Sequence, residues 1–427
     1  MNCFELCWGD VAMSRSRLLT LLCVALICAT LIGHGPNTAV AMPSHQIASR
    51  GQTLVERESD SQSILTLFPE LKSLTAPLWV QEGLRAYYRT SAATVPNPLS
   101  GPNKDAVKPP IMHPEELSPA APALVRTDVI ALATRFSATC STLFIGDLMI
   151  PWEDVTRAAY AGAGDFWINP IVFKDIAKRA PEHLSISEIQ FEAGGTKYDS
   201  IRFDYRPTGS NKHYVWIFQS STGLLIYQAQ WLTLSDQRLA YVSAAEFVTK
   251  RNISLPWSGE AAPPWAKPGA KLTYQGTIRT WLPTTGHNIP IPALLEVKIE
   301  DGGRNWTVAK VTRVFSDDRG QTGAAIKVYS GTGQIGGFWL PKAGLAKLKN
   351  GNKLDPFDPL VGSSVEVSYV GKTPSGISVA AIFEWGAKYK RVWIYRSTDG
   401  MLLYWLDEKV VDPVTGMVQQ AEWQLME

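Results

Sequence analysis

The sequence has little cysteine, and most of it stands near the N-terminus. Of the five cysteines, Cys3, Cys7, Cys23 and Cys28 precede residue 42, and Cys140 alone follows it. A chain processed after residue 41 would keep a single thiol, which excludes an intramolecular disulfide. We therefore expect a hydrophobic core to stabilise the fold, with Cys140 as a buried structural thiol within a strand.

The sequence also lacks an excess of charge of one sign. Its formal net charge is +2, with 41 basic and 39 acidic residues. A nucleic-acid-binding protein normally carries a clearly basic face or segment. Nucleic acid is therefore not expected as a partner.

Only one long apolar run is present, and it lies close to the N-terminus. The run LLTLLCVALICATLI follows Arg15 and Arg17 and precedes the small residues Ala39-Val40-Ala41. This order is typical of a secretory signal peptide, and the run is shorter than the roughly 20 residues of a membrane-spanning helix. We predict a signal peptide over residues 1–41, with Met13 as a possible true start. The processed protein should be periplasmic or extracellular, with no transmembrane span.

Motifs for catalysis, metals and cofactors are scarce. No histidine pair has metal-ligand spacing, and there is no G-x-S-x-G nucleophile elbow. The stretch Gly331-Thr332-Gly333-Gln334-Ile335-Gly336 has dinucleotide-loop spacing, but the predicted helix starts too late, at Pro341. We interpret it as a tight turn before a buried Phe-Trp pair. Asp355 and Asp358 read as a solvated loop, and no cofactor or metal is predicted.

An internal duplication dominates the sequence. Four short patterns recur in the same order, at offsets of 186, 172, 177 and 176 residues. Recurrence in one fixed order indicates a tandem repeat. The pattern pairs centre on Trp79 and Trp265, Trp167 and Trp339, Trp216 and Trp393, and Glu246 and Glu422.

The duplication divides the chain into two units. A polar lead-in over residues 42–74 precedes the first unit, and the first unit contains a proline-rich insertion, expected as a surface loop or partly disordered segment. The predicted boundaries are 75–253 for the first unit, 95–122 for its insertion, 254–260 for a linker and 261–427 for the second unit.

Each unit is predicted to be mainly β with minor α. Alternating apolar residues around Ser221-Thr222-Gly223 and Thr398-Asp399-Gly400 predict one hairpin in each unit. Asn169 before Pro170 predicts a helix start, which recurs at Pro341. The expected architecture is two tandem antiparallel β-sheet domains, each with one short helix; sandwich, barrel and half-barrel remain open.

The recurring aromatic residues are the candidate site residues. They could form the core or line a ligand cavity, and pattern alone does not separate these roles. The candidates are Trp79, Tyr88, Trp167, Trp216, Tyr227, Trp265, Tyr274, Trp339, Trp393 and Tyr404.

Three sequence patterns carry a resemblance. They are similar to patterns of uncharacterised exported bacterial proteins, and the similarity covers most of residues 75–253. The patterns are P-x-W…G…Y-Y, G-D-F-W-I-N-P and V-W-I-F-Q-S-S-T-G-L-L. The hairpins at Val215–Tyr227 and Val392–Tyr404 more weakly resemble the W-I-x-x-x-T-G hairpin of the envelope lipoprotein-carrier superfamily. That resemblance implies half-barrels that wrap a helix and hold acyl chains. Gln219 or Arg396 stands where that superfamily often has Asp, and its following proline is missing.

Three functions remain as hypotheses. The first is a non-enzymatic envelope protein that binds or carries an apolar or amphipathic ligand such as a lipid. The second is an extracellular structural or interaction module for a protein or polysaccharide, which exposed Trp or Tyr side chains in a row would favour. The third is a secreted hydrolase with two carboxylates across a cleft. The sequence leaves the oligomeric state open.

Overall fold

A computed structural model gives the fold of most of the chain after residue 63. It describes residues 64–68, 74–98, 108–117, 123–133, 136–160, 166–176, 178, 180–235, 237–315, 323, 325–412 and 414–426. The predicted signal peptide, most of the lead-in and part of the insertion lie outside these residues. Within them, no helix has the length and apolarity needed to cross a membrane.

The predicted mainly-β class is confirmed by two antiparallel sheets with few short helices. The first sheet has nine strands, which follow or enclose three short helices. The elements are α1 Ile64–Leu67, β1 Leu84–Pro96, α2 Pro114–Leu117, β2 Ala123–Ala133, β3 Phe136–Ile145, β4 Ile150–Tyr160, α3 Phe173–Ile176, β5 Leu184–Ala193, β6 Thr196–Tyr205, β7 Lys212–Gln219, β8 Leu225–Thr233 and β9 Leu239–Asn252.

The second sheet has ten strands and one short helix. Its elements are β10 Lys271–Leu282, β11 His287–Gly302, β12 Trp306–Phe315, β13 Ile326–Gly331, α4 Lys342–Leu345, β14 Lys353–Asp358, β15 Ser363–Lys372, β16 Ser378–Gly386, β17 Tyr389–Arg396, β18 Leu402–Asp412 and β19 Met417–Leu425.

Both sheets are meanders whose first and last strands pair. The spatial order is β4-β3-β2-β1-β9-β8-β7-β6-β5 in the first sheet. In the second it is β13-β12-β11-β10-β19-β18-β17-β16-β15-β14, so β14 has no counterpart in the first sheet. In each sheet, the first strand therefore lies in the interior, between the second strand and the last strand.

The two predicted hairpins are confirmed, and glycine explains their turns. Gly223 and Gly400 adopt φ values of +73° and +77° between their strands. A Cβ atom at either position would overlap a carbonyl oxygen, that of Ile168 or Leu340 respectively. Those carbonyls belong to the segment before α3 or α4, so the glycines let each hairpin tip pack against it.

The predicted helix starts are also present. Asn169 has an extended backbone, and its side chain accepts a hydrogen bond from the Ile171 amide at the head of a 3-10 turn over Pro170–Val172. The turn continues directly into α3. Pro341 stands at the same place before α4. Pro at a helix start loses no helical hydrogen bond, because the first amides have no partner within the helix.

Each sheet buries one face in a hydrophobic core. In the first sheet Phe203, Trp216 and Phe218 share that face, and the Phe203 ring lies 6.4 Å from Phe68 just after α1. In the second sheet the equivalent face carries Ile382 and Trp393. Full burial of a large apolar side chain contributes about 1.5–3 kcal/mol, so these layers account for much of the stability. We call these the inner faces.

The Gly-x-Gly stretch after β13 lies against the first sheet. The Gly333 amide donates a 2.7 Å hydrogen bond to the Ile130 carbonyl in β2. A Cβ atom on Gly331 or Gly333 would overlap the β2 backbone. These glycines thus allow two backbones to approach closely, and the Phe338-Trp339 pair that follows is buried as predicted.

One part of the proline-rich insertion lies on the first sheet. Strand β1 runs to Pro96, and residues 108–117 lie against the first sheet and include α2. Ile111 and Met112 pack against the core cluster of that sheet. Two apolar side chains among the prolines give this part of the insertion enough buried surface to order it.

Candidate binding face

One candidate tryptophan stands at the start of each unit and hydrogen-bonds to the hairpin turn of that unit. The indole Nε1 of Trp79 donates to the Thr222 carbonyl at 2.8 Å, and that of Trp265 donates to the Asp399 carbonyl at 2.9 Å. Both tryptophans are partly buried. Their geometry fits a structural contact with the turn, and a ligand-lining role for them stays a prediction.

Six further candidate aromatics are buried. Tyr88 and Tyr274 donate their hydroxyls to the Leu225 and Leu402 carbonyls, at 3.2 and 3.1 Å. Burial raises the pKa of both hydroxyls, as expected for phenols without a charged partner. The other four, all 7% exposed or less, are Trp167, Trp216, Trp339 and Trp393.

The last two candidates, Tyr227 and Tyr404, distinguish the sheets. Both lie on the sheet face opposite to the inner face, which we call the outer face. Tyr227 is fully buried, and its hydroxyl donates to the Met112 carbonyl at 2.9 Å. Tyr404 is partly exposed, and its hydroxyl donates to the Glu422 carboxylate at 3.1 Å.

Residues 108–117, here called the covering segment, lie over the outer face of the first sheet. The Arg202 guanidinium donates to the Pro109 carbonyl at 2.7 Å, and the Met112 amide and carbonyl both bond the Tyr227 hydroxyl. His113 Nδ1 lies 2.5 Å from a Glu246 carboxylate oxygen. These contacts follow the segment along its length, so its position is fixed by polar pairs as well as by apolar burial.

Acidic and basic side chains complete this cover. Glu115 of the segment forms an ion pair with Arg89 on β1. The His113 ring also stacks on Phe191 with 5.9 Å between ring centroids. The outer face of the first sheet thus holds a chain segment through apolar side chains, one contact to a recurring glutamate and one ion pair to a strand arginine.

Among the described residues, no segment corresponding to this one lies on the second sheet. The first and second strands of the first sheet are joined by residues 97–122, whereas β10 and β11 are joined by residues 283–286 alone. Phe383, Ile394 and Tyr404 on the outer face of the second sheet are partly exposed, and Trp385 is 43% exposed. A connected group of partly exposed aromatic and aliphatic side chains is a candidate interaction site.

Strand register places these residues in adjacent rows. Phe383 pairs with Val392, which pairs with Leu406; Ile394 pairs with Tyr404. The Phe383 and Trp385 rings lie 5.3 Å apart. Val392 and Leu406 are buried beneath their neighbours. The result is an apolar stripe across β16, β17 and β18.

Charged residues surround the apolar stripe. Lys390 and Glu408 form an ion pair of 3.5 Å at one side, and Glu422 contacts Tyr404 at the other. Partial burial, then the Glu422 charge and the hydrogen bond to it, raise the pKa of Tyr404 to about 12. Tyr404 is therefore a neutral donor at physiological pH, and the Glu422 carboxylate keeps a second oxygen for another donor.

A small polar pocket adjoins the stripe on the same face. It has a volume of about 190 Å³ and is lined by Arg279, Trp281, Gly286, Asn288 and Gln420. Register confirms the shared face, since Arg279 pairs with Gln420 and Trp281 pairs with Asn288. The Nε atom of Arg279 is buried and has no hydrogen-bond partner within the described residues.

A larger cleft lies elsewhere on the second sheet, beside the β17–β18 hairpin. Its volume is about 530 Å³, within the usual range for small-molecule sites. The lining combines apolar side chains with two cations, and Arg396 also pairs with Asp399 at 2.9 Å. The lining residues are Lys271, Leu272, Thr273, Arg396, Met401, Leu425 and Met426.

A buried charge cluster joins the outer face of the first sheet to the second sheet. Arg85 lies 2.6 Å from Asp128, 2.8 Å from Asp355 and 3.3 Å from Asp358. Arg251 also binds Asp355, at 2.6 Å. Asp355 and Asp358 are 1% and 0% exposed, so their interpretation as a solvated loop is wrong: guanidinium groups from the other sheet compensate their burial.

Glu384 forms the second part of this cluster. Its carboxylate accepts from Arg126 at 3.0 Å and from the Tyr389 hydroxyl at 3.1 Å. Burial alone would raise the pKa of Glu384, but the charges of Arg126 and Arg391 outweigh it and lower the pKa to about 2. Glu384 therefore stays ionised across physiological pH, and its ion pair with Arg126 links the two sheets.

Sequence reasoning missed both the cluster and the outer face. A weak signal for the outer face exists, since Ile382, Phe383 and Trp385 place apolar residues on both sides of β16. A strand with one solvated face normally alternates apolar and polar residues. The partners in the charge cluster are separated by 270 residues or more in places, and no local pattern reveals such pairs.

Comparisons with known proteins leave the family open. No family model matches the chain, and no curated protein matches it. Three solved structures align over much of the chain: a protein of unknown function from the DUF3598 family of Nostoc punctiforme, a candidate AttH from Nitrosomonas europaea, and the apo haemoglobin receptor HpuA from Kingella denitrificans.

These three alignments are long but geometrically poor. The Nostoc protein is 10% identical, with 81% of this chain and 96% of that chain covered and a TM-score of 0.15. The Nitrosomonas protein is 9% identical, with coverages of 84% and 96% and a TM-score of 0.16. The Kingella receptor is 11% identical, with coverages of 73% and 91% and a TM-score of 0.13. Such scores support no inference about fold or ligand.

Proposed function

We propose that the protein is an exported, non-enzymatic binding protein whose second sheet holds an extended segment of a partner protein on its outer face. One observation carries the proposal: residues 108–117 cover this face of the first sheet, whereas no described residue covers the apolar stripe of the second sheet. Export rests on the predicted signal peptide.

The covered sheet indicates what the open sheet would bind. On the first sheet, Met112 bonds Tyr227 and His113 contacts Glu246. Tyr404 and Glu422 occupy the corresponding outer face of the second sheet, beside partly exposed Phe383. A suitable segment would be extended, with an apolar side chain for the stripe and a basic or donor group for Glu422. On the first sheet, side chains of the strands bond the backbone of the covering segment, and a partner segment on the second sheet would be held by contacts of the same kind.

A synthetic peptide with the sequence of the covering segment, KPPIMHPEEL, is the probe that tests this proposal. Fluorescence anisotropy of the labelled peptide should show saturable binding to the purified protein. Phe383→Asp should abolish binding, because it places a charge within the apolar stripe. Trp385→Ser should weaken binding and cost less stability than a change at a buried stripe residue, because Trp385 is 43% exposed.

The matched control lies on the first sheet's side of the chain. Ile171 is 71% exposed, and Ile171→Asp makes a comparable change away from the stripe. Ile171→Asp should leave peptide affinity unchanged. Absence of saturable peptide binding to the wild-type protein would contradict the proposal. An equal loss of peptide affinity in the Ile171 and Trp385 variants would also contradict it.

A second candidate function is carriage of an anionic amphipathic ligand, and the 530 Å³ cleft favours it. Leu272, Met401 and Leu425 offer an apolar wall, while Lys271 and Arg396 supply positive charge at the same cleft. A fatty acid or similar amphiphile combines the two chemistries. The cleft supports this hypothesis better than the buried aromatic residues do, since those are occupied by packing and turn contacts.

Native mass spectrometry of protein purified without detergent tests the carrier hypothesis. A bound mass that disappears on solvent extraction, and that is reduced in Lys271→Glu, would support it. Lys267→Glu, an exposed lysine outside the cleft lining, is the control and should retain the bound mass. A bare protein mass, with no thermal shift on adding oleate, would remove the hypothesis.

A further inference from the structure

The pocket around Arg279 carries an inference that rests on the proposed function and deepens it. Arg279, Trp281 and Gln420 face the same side of neighbouring strands, next to the Tyr404–Glu422 pair. The Arg279 charge is close enough to lower the pKa of the Tyr404 hydroxyl in part. The pocket and the apolar stripe are therefore parts of one surface.

Like Arg313, which lies over the Trp423 ring, Arg279 differs from the fully buried arginines in having no acidic partner among the described residues. Within the described residues, no carboxylate lies within ion-pair distance of its guanidinium, and its Nε has no acceptor. By contrast, Arg85, Arg126 and Arg391 each contact at least two carboxylates. A guanidinium is costly to desolvate without a hydrogen-bonding partner, so this donor is poised for an anion.

The nearest acidic residues on this face are already engaged. Glu408 pairs with Lys390 at 3.5 Å, and Glu422 accepts from Tyr404 at 3.1 Å. Neither is within 4 Å of Arg279. No acidic side chain of the described residues therefore pairs with Arg279, and its guanidinium is left to solvent or to a bound anion.

We infer that the Arg279 pocket receives a carboxylate side chain of the partner segment that lies on the apolar stripe. The covered sheet shows the same type of contact, since Glu115 of the covering segment pairs with Arg89 on β1. Arg89 and Arg279 stand on corresponding first strands and on the outer face. The pocket volume of about 190 Å³ admits one carboxylate group with its stem, whereas drug-sized ligands need about 300 Å³ or more.

The neighbouring side chains suit this ligand. Asn288 and Gln420 can donate amide N–H groups to a carboxylate oxygen that the guanidinium does not use. Trp281 supplies an apolar wall for the methylene stem. An acidic sugar carries the same carboxylate, and its binding is an outcome that the experiment separates.

A double-mutant cycle tests the contact. Affinities of the full-length protein and Arg279→Gln are compared for KPPIMHPEEL and for the same peptide with both glutamates replaced by glutamine. We expect Arg279→Gln to weaken the glutamate peptide about 10-fold and to leave the glutamine peptide unchanged, because only the first pairs with Arg279. Arg304→Gln removes an exposed arginine outside the pocket and should change neither affinity.

The outcomes separate this inference from the proposed function. If Phe383→Asp abolishes binding but Arg279→Gln weakens both peptides equally, peptide binding to the apolar stripe is supported. The assignment of a carboxylate to the Arg279 pocket is then overturned. If neither peptide binds the wild-type protein, both proposals fall. If glucuronate displaces the peptide at concentrations where acetate does not, the pocket is a saccharide site and the peptide assignment is wrong.

Discussion

Removing the Glu384 charge should loosen the contact between the two sheets by a calculable amount. Glu384 is buried, and its pKa is about 2 in the folded protein against an ordinary value of 4.5. The difference, 4.5 − 2 = 2.5 pH units, corresponds to about 3 kcal/mol of stability at about 1.4 kcal/mol for each unit. Breaking a buried ion pair by removing one partner costs about 3–5 kcal/mol, which agrees.

The sign of the pH dependence follows from the lowered pKa. Stabilisation by Glu384 is fully present above pH 4.5 and is lost as the pH falls through about 2. Urea unfolding, followed by tryptophan fluorescence, should therefore show Glu384→Gln less stable than wild type by about 3 kcal/mol at pH 7. By the same relation, the difference in unfolding free energy between wild type and Glu384→Gln should narrow to about 1.5 kcal/mol at pH 3.

Glu366 provides the control for this experiment. It pairs with Lys353, whose side chain is 55% exposed, and solvent-accessible ion pairs contribute about 0–1 kcal/mol. Glu366→Gln should therefore change the free energy of unfolding by less than about 1 kcal/mol at either pH. An equally small effect of Glu384→Gln, or a gap that does not narrow in acid, would refute the electrostatic account of the contact between the sheets.

Two further predictions concern stability. Gly400→Ala should destabilise by about 3 kcal/mol or more in urea unfolding, because a left-handed alanine costs about 1–2 kcal/mol and the overlap with the Leu340 carbonyl adds to it. Gly376→Ala, with φ of +85° and open space around its Cβ, should show the conformational cost alone. Equal losses of unfolding free energy in the Gly400 and Gly376 variants would refute the close-packing argument. Burial, then the neighbouring Asp154, raises the pKa of Glu153 to about 7, so ionisation destabilises the fold as the pH rises from 4.5 through 7. Glu153→Gln should thus raise the melting temperature over wild type at pH 8 but not at pH 4, and a gain at both would point to another cause.

Local features of the fold could be predicted, because local physics determines them. Gly223 and Gly400 follow polar turn residues between alternating strands, and both hairpins are present. Asn169 caps a helical turn as its position before Pro170 indicates. Turn and cap signals depend on residues a few positions apart, so they can be recognised without knowledge of the tertiary fold.

The binding face could not be predicted, because it depends on what covers each sheet. The patterns around Tyr227 and Tyr404 are alike in sequence, yet one tyrosine is buried beneath Met112 and the other is partly exposed. The difference arises from the connection between the first two strands, which is long in one sheet and short in the other. Asp355 likewise reads as a loop residue because its partner, Arg85, lies 270 positions away.

The pairing of first and last strands bears on how the chain is made. The last strand of the first sheet ends at Asn252, before any strand of the second sheet begins. A chain that emerges from its N-terminus can therefore complete the first sheet while the rest is still being synthesised or transported. During that interval Arg85, Arg126 and Arg251 lack their acidic partners on the second sheet. The half-made protein then presents these guanidinium groups beside apolar Leu124 and Phe144, and docking of the second sheet covers both.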